Sequence, residues 1–210
     1  MNRSATALGR GSGWGPPTPK FQIESWFENQ RMTASKDTSQ KITAYEFYIM
    51  RHGIATQRGN DGSLDDSKRK LTPEGREKMQ EIAKGLKRLG FAVDWILTSP
   101  LVRAVETAEI ISGSLGSKVP MDCCDELRPG EPADKLLSFL AKEPERRRVL
   151  LVGHEPDLGM LAALLIGAGR NANLAFKKGG CCLIISDEFP LKSQGQLVWW
   201  LTPRLLRAMA

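Results

Sequence analysis

The chain holds only two imidazoles, His52 and His154, and each follows a short apolar run. His52 sits in Arg51-His52-Gly53 after Tyr45-Glu46-Phe47-Tyr48-Ile49-Met50. His154 sits in Gly153-His154-Glu155-Pro156 after Val149-Leu150-Leu151-Val152. A third run, Trp95-Ile96-Leu97-Thr98, stops at Ser99-Pro100 and leads to Arg103. Ligands of open parallel sheets bind beyond the carboxyl ends of the strands. Imidazole and guanidinium groups gathered there point to a phosphate-handling pocket. A helix beginning near Leu101 would hold Arg103 in its first turn. A cation is unfavourable at that end unless an anion is bound beside the backbone N–H groups.

Other chemistries fit less well. A metal site needs three or four ligands, and two histidines with no CxxC motif do not supply them. No Gly-x-Ser-x-Gly elbow follows a strand, and a Walker-type phosphate loop is absent. Each residue alone also fits a bland role, His52 or His154 as a hydrogen-bonded strand-end residue and Arg103 as a surface arginine. Three strand ends converging on one chemistry favour the site.

The elements that must position these groups alternate from residue 44 onward. Strands are expected at 45–50, 95–98, 119–121, 149–152, 181–186 and 197–201. Thr72-Pro73 reads as an N-cap and first helical residue, with Met79, Ile82, Leu86 and Leu89 at helical spacing and Gly90 at C′. Further helices are expected from Val102 to Ser112, from about Pro132 through Leu140, from Pro156 through Ile166, and at the C-terminus. The run 149–152 is apolar throughout, as in a strand covered on both faces. Such alternation argues for an α/β layered fold with a mostly parallel central sheet and at least one antiparallel pair at its end. The runs 45–50, 95–98 and 149–152 are expected to be parallel neighbours that gather Arg51, His52, Arg103 and His154 around one pocket.

Composition sets the remaining bounds. The 210 residues suit one well-buried domain, and 41% hydrophobic with 26% charged residues is ordinary for a globular protein. No apolar run approaches the roughly 20 residues of a membrane span. Net charge is +6, of which residues 44–210 contribute only +3. The Arg146-Arg147-Arg148 cluster lacks interleaved aromatics and reads as a solvated strand entrance, so neither nucleic acid nor membrane is expected as a partner. Cys123-Cys124 and Cys181-Cys182 are adjacent pairs whose side chains point to opposite faces of a strand, and buried free thiols in a reducing cytosol are expected. Residues 1–43 are rich in Gly, Pro, Ser and Thr and read as a disordered extension, with 44–210 the domain. Deleting 1–43 is expected to leave cooperative unfolding and turnover nearly intact. Loss of either in the truncated protein would make the extension structural.

Arg51-His52-Gly53, Ser99-Pro100-Leu101-Val102-Arg103-Ala104-Val105-Glu106-Thr107-Ala108 and Gly153-His154-Glu155-Pro156 resemble, in order and spacing, three signatures of the histidine phosphatase superfamily. Leu71-Thr72-Pro73-Glu74-Gly75 is similar to the start of that superfamily's first helix. The compact length, Leu127-Arg128-Pro129-Gly130 and the ending Trp200-Leu201-Thr202-Pro203 resemble its SixA-type phosphohistidine phosphatases. The resemblance implies a phosphoglycerate-mutase-like three-layer sandwich. It also implies that His52 attacks phosphorus to form a covalent phosphohistidine, with Arg51, Arg103 and His154 binding the phosphoryl group and no metal or other cofactor. Larger relatives place a proton-donating acid downstream of the second arginine. Here only Glu126 and Glu131 stand nearby, and Glu126 is the candidate proton donor. An alkoxide needs that proton, whereas a phosphorylated imidazole leaves through a nitrogen that can be protonated beforehand. The expected substrate is therefore phosphohistidine on a cytoplasmic protein, a phosphocarrier or a histidine phosphotransfer domain. The alternatives are a small phosphomonoesterase and a catalytically silent phosphate-binding module.

Overall fold

Apolar runs without polar alternation form strands covered on both faces, and here they form the middle of a six-stranded sheet. The computed structural model describes residues 44–57, 65–116, 118–169, 172–190 and 194–210. The extension expected over 1–43 lies outside these residues. The strands are β1 (Tyr45–Arg51), β2 (Trp95–Thr98), β3 (Met121–Cys123), β4 (Arg148–Gly153), β5 (Cys181–Ser186) and β6 (Gln196–Leu201). Their order is β3-β2-β4-β1-β5-β6. The first four are mutually parallel, and β5 runs antiparallel to both β1 and β6. The expected parallel neighbours and the antiparallel end are both present.

Side-chain alternation along each strand divides the core in two. Phe47, Ile49, Leu97, Val149 and Leu151 face one layer, with α3 (Ala133–Leu140) and α4 (Asp157–Leu165). Tyr48, Met50, Ile96, Leu150 and Val152 face the other, with α1 (Pro73–Arg88), α2 (Val102–Ser114) and α5 (Pro203–Ala208). Adjacent cysteines obey the same parity, Cys181 falling in the second layer and Cys182 in the first.

Local chemistry fixes the helix that carries no site residue but frames the site. Thr72 caps α1 by accepting from Gly75 N at 2.9 Å, and Thr72 N donates to Ile54 O at 2.9 Å. A Cβ on Gly75 would stand 2.1 Å from Ile54 O, so only glycine lets the helix start press on the loop after His52. At the other end Gly90 has φ of 73°, and Phe91 N donates to Leu86 O at 3.0 Å, closing a Schellman turn.

Three expectations need correction. β3 begins two residues later than expected, because the ladder is set by β2. Pro120 contributes only its carbonyl, to Ile96 N, and Met121 pairs with Ile96. All four cysteines are free, but Cys123 is exposed, since β3 is the edge strand and that residue points to solvent. The arginine cluster is half-buried: Arg146 lies over the Trp95 ring and Arg147 over the Tyr45 ring, at 5.5 and 4.3 Å. Those cations pack on aromatic faces contributed from β1 and β2, which no reading of neighbours in sequence would reveal.

Candidate active site

Strand register brings three loops to one level. Arg51 pairs with Gly153, and Thr98 with Val152. The ladder continues past the strand ends, His52 N donating to Gly153 O at 3.1 Å and Ser99 N to Val152 O at 2.9 Å. His52, Ser99 and His154 therefore leave the sheet side by side. The two imidazole rings lie 5.1 Å apart.

The protons on these rings follow from their partners. His52 Nδ1 lies 2.7 Å from Gly53 O, which can only accept, so Nδ1 carries the hydrogen. Nε2 is left with its lone pair, toward which Arg103 Nε donates at 3.3 Å. His154 Nδ1 faces Arg103 Nη2 at 3.4 Å and is the acceptor, because a guanidinium only donates. His154 Nε2 then donates to Ser99 Oγ at 2.8 Å. One guanidinium thus touches both imidazoles. His52, Arg103 and His154 are all buried, at 6%, 3% and 4% exposure.

Burial sets the charge state. Desolvation pushes the His52 pKa down to about 3, with His154, Arg103 and Arg51 adding repulsion. Desolvation and then Arg103 push His154 down to about 4. Both rings are neutral at pH 7, and a neutral imidazole is the nucleophilic form. Protonation of His154 thus requires a phosphoryl dianion alongside it. Because both folded pKa values lie below the ordinary 6.5, the unfolded chain binds more protons between pH 6.5 and 4. Stability should therefore be full above pH 7 and fall on acidification through that window, by roughly 2 kcal/mol per histidine at pH 5. Denaturant unfolding at pH 7 and 5 checks this, and His154→Gln should flatten the slope. A stability that rises on acidification, or an equal slope in the variant, would contradict the assignment.

Arg51 approaches from β1 and donates from Nη1 to Phe176 O at 2.7 Å. Its buried Nε has no hydrogen-bond partner among the described residues, leaving a donor suited to an anion. Phe176 is held in turn: its N–H donates to Glu155 Oε1 at 2.5 Å, and its ring stacks on Trp200 at 3.9 Å. Burial raises the Glu155 pKa, while its amide bonds and Arg51 oppose the rise.

Several contributors went unread in the sequence. Asp66, in the short turn Asp66–Lys68, accepts from Arg103 Nη1 with its carbonyl at 2.7 Å and from Nη2 with its carboxylate at 3.0 Å. The same carboxylate takes Arg69 Nε at 2.8 Å. Thr107 Oγ1 accepts Gly53 N at 3.0 Å and donates to Arg103 O at 2.7 Å, tying the nucleophile's loop to α2. Glu106 accepts from Leu71 N at 2.6 Å and from Arg76, so it braces the start of α1. The Asp66–Arg69 spacing of three was the available signal for the first of these.

The candidate donor Glu126 lies in the turn Asp125–Leu127, accepts from the Cys124 thiol at 3.2 Å, and lines one groove together with His154 and Glu131. Among the described residues, no cluster of three or more His, Cys, Asp or Glu side chains could hold a metal ion. No helix among them is long and apolar enough to cross a membrane.

Comparison with known proteins fits this geometry. Residues 47–129 match the family described as Histidine phosphatase superfamily (branch 1). The phosphohistidine phosphatase SixA of Escherichia coli K12 is 30% identical over 125 residues, covering 57% of this chain and 73% of that protein. The mitochondrial serine/threonine-protein phosphatase PGAM5 of Xenopus tropicalis is 41% identical over 85 residues, or 40% of this chain and 29% of that one. A structure of the protein histidine phosphatase SixA complexed with tungstate superposes with a TM-score of 0.67 at 26% identity. That superposition covers 77% of this chain and 99% of the other.

Proposed function

The chain belongs to the histidine phosphatase superfamily, branch 1, and within that family of phosphatases we propose that it hydrolyses phosphohistidine on a protein. The observation that carries the reading is the fixed tautomer of His52, whose Nε2 lone pair stands beside the Arg103 guanidinium.

His52 Nε2 attacks phosphorus in line, and the bond from phosphorus to the substrate's imidazole nitrogen breaks. The bonding pair stays on the released nitrogen as its lone pair, and the imidazole departs neutral because its other ring nitrogen already carries a proton. Water then attacks the phosphoryl group on His52, releasing inorganic phosphate and restoring the neutral ring. Arg51 and Arg103 stabilise charge on the equatorial oxygens. His154 changes role when it gains a proton at Nδ1, from acceptor of Arg103 to donor toward a phosphoryl oxygen. Because burial keeps His52 neutral, kcat/KM should hold down to about pH 4 and fall only as the nucleophile itself is protonated, with its pKa at about 3.

The carboxylates around the pocket support the nitrogen leaving group. Asp66 is engaged by Arg69 and Arg103, and Glu106 by Arg76 and the Leu71 N–H, so both carboxylates are occupied with positioning and neither is placed as a donor to an alkoxide. The partner proposed is a histidine phosphotransfer domain or a phosphocarrier of the cytoplasm.

Two observations favour a second reading, a phosphomonoesterase: Glu126 lines a groove with His154, and a serine/threonine-protein phosphatase is among the relatives. Turnover of a phosphohistidine protein, a phosphoserine peptide and a small phosphate ester, side by side, tests the choice. Phosphohistidine should be preferred, and preference for either ester would replace the proposal with the second reading. Glu126→Gln refines it: less than about threefold loss on phosphohistidine is expected, against about a hundredfold on an ester if Glu126 donates. A large and equal loss on both would defeat the leaving-group argument.

A further inference from the structure

A guanidinium has two edges that can each make a pair of hydrogen bonds, and both edges of Arg103 are used. Nε and Nη2 share the inner edge, which faces the imidazoles: Nε lies 3.3 Å from His52 Nε2, and Nη2 lies 3.4 Å from His154 Nδ1. Nη1 and Nη2 share the outer edge, which faces Asp66. There Nη1 donates to the Asp66 carbonyl at 2.7 Å and Nη2 to its carboxylate at 3.0 Å. The outer contacts are the shorter pair, and the side chains of that ion pair are only 4% and 28% exposed. The turn that supplies them is itself tied down. Asp65 caps it by accepting from Ser67 N at 3.0 Å and from Ser67 Oγ at 2.8 Å. The second Asp66 carboxylate oxygen takes Arg69 Nε at 2.8 Å, and Arg69 Nη1 donates to Thr56 O at 2.7 Å.

We propose that Asp66 is a positioning residue for phosphoryl transfer: it clamps the outer edge of Arg103, with Arg69 holding the clamp, so that the inner edge meets the phosphoryl group without turning. This role rests on the His52 nucleophile of the proposed mechanism and not on the identity of the leaving group. In the resting site the imidazoles hold the two inner hydrogens. His52 Nε2 releases the Nε hydrogen as its lone pair bonds to phosphorus. His154 releases the Nη2 hydrogen on gaining a proton at Nδ1. Both hydrogens are then available to phosphoryl oxygens, while the outer edge keeps its partner. A guanidinium held by its inner edge alone would lose both anchors as charge develops on the equatorial oxygens, whereas one held by Asp66 needs no reorganisation at that moment. The carboxylate also helps His154 take its proton, opposing the desolvation and the Arg103 charge that push that pKa down. A carboxylate beside an anion site repels the bound dianion as well. The clamp therefore weakens ground-state binding and strengthens transition-state binding, which fixes the kinetic signature of removing it.

The test measures kcat and KM separately for the full chain and its variants, on a phosphohistidine protein and on a small phosphate ester. Asp66→Ala should lose about thirtyfold in kcat with KM unchanged or lower, a smaller loss than removal of Arg103 itself. Asp66→Asn should recover little, because an amide has one oxygen and must turn its NH2 on one of the two guanidinium groups. Arg69→Ala should lose about fivefold. Combined with Asp66→Ala it should still lose about thirtyfold rather than the product of about 150-fold, because Arg69 acts through Asp66. Melting curves show whether each variant is folded, and Asp66→Asn carries the kcat measurement if Asp66→Ala is not. A kcat within about threefold of the natural value in the folded Asp66 variant would overturn the role. If KM fell at the same time, Asp66 would be only an anion competing for the arginine. Multiplying losses in the double variant would overturn the part assigned to Arg69. The fold-loss should be the same on both substrates, so a natural chain that prefers the ester would overturn the phosphohistidine reading and leave the role of Asp66 standing.

Discussion

His52→Ala is expected to abolish both turnover and the capture of acid-labile phosphate on the chain. Gly53 O fixes the proton on Nδ1, which leaves the Nε2 lone pair as the nucleophile, held by a long hydrogen bond from Arg103 Nε at 3.3 Å. His154 cannot replace it. Its Nε2 hydrogen goes to Ser99, and its Nδ1 lies against Arg103. Removing a covalent nucleophile from a site that acts as a unit costs at least about a thousandfold in rate. Steady-state turnover and rapid-quench labelling read the two effects separately. More than a few per cent of natural activity in the variant would mean that water attacks the substrate directly.

Arg103→Ala comes second, at about a hundredfold or more in kcat. The guanidinium touches His52, His154 and Asp66, so its loss removes charge stabilisation from the transition state and leaves the Asp66 carboxylate near the phosphoryl site without that ion pair. Repulsion of the incoming dianion adds to the loss. Arg103→Lys should recover little, because one ammonium cannot reproduce a fork that reaches two rings and a carboxylate at once. The nucleophile survives in both variants, so slow covalent labelling should persist in single-turnover experiments. A loss below tenfold in Arg103→Ala would show that Arg51 and His154 carry the charge without it.

The sheet's centre was legible because its signal is local: continuous apolar runs of the right length mark β1, β2 and β4, and catalytic residue types stand just past each run. Thr72-Pro73 and Gly90 marked the ends of α1 through cap chemistry that needs no tertiary information. β3 was displaced in the reading because its limits are set by pairing with β2, and the short run around Val119 and Met121 has no pattern of its own. The arginines of 146–148 were read as solvated because their aromatic partners, Trp95 and Tyr45, are distant in sequence. Asp66 escaped for the same reason. Its hold on Arg103 spans 37 residues, and half of it is a backbone carbonyl, which leaves no mark in a sequence. The Phe176 carbonyl that holds Arg51 is hidden likewise. Ser99 and Thr107 were visible as letters of the motifs, but their work, orienting His154 and bracing Gly53, follows only from hydroxyl geometry.

The central claim is a covalent phosphoryl group on one particular nitrogen. Mixing the protein with a labelled phosphohistidine protein, quenching within milliseconds in alkali and mapping the labelled peptide tests it directly. The expected result is label on the peptide containing His52, stable to alkali, lost in acid, and appearing before inorganic phosphate is released. Label on any other residue, or phosphate release with no labelled chain at any time, would contradict it.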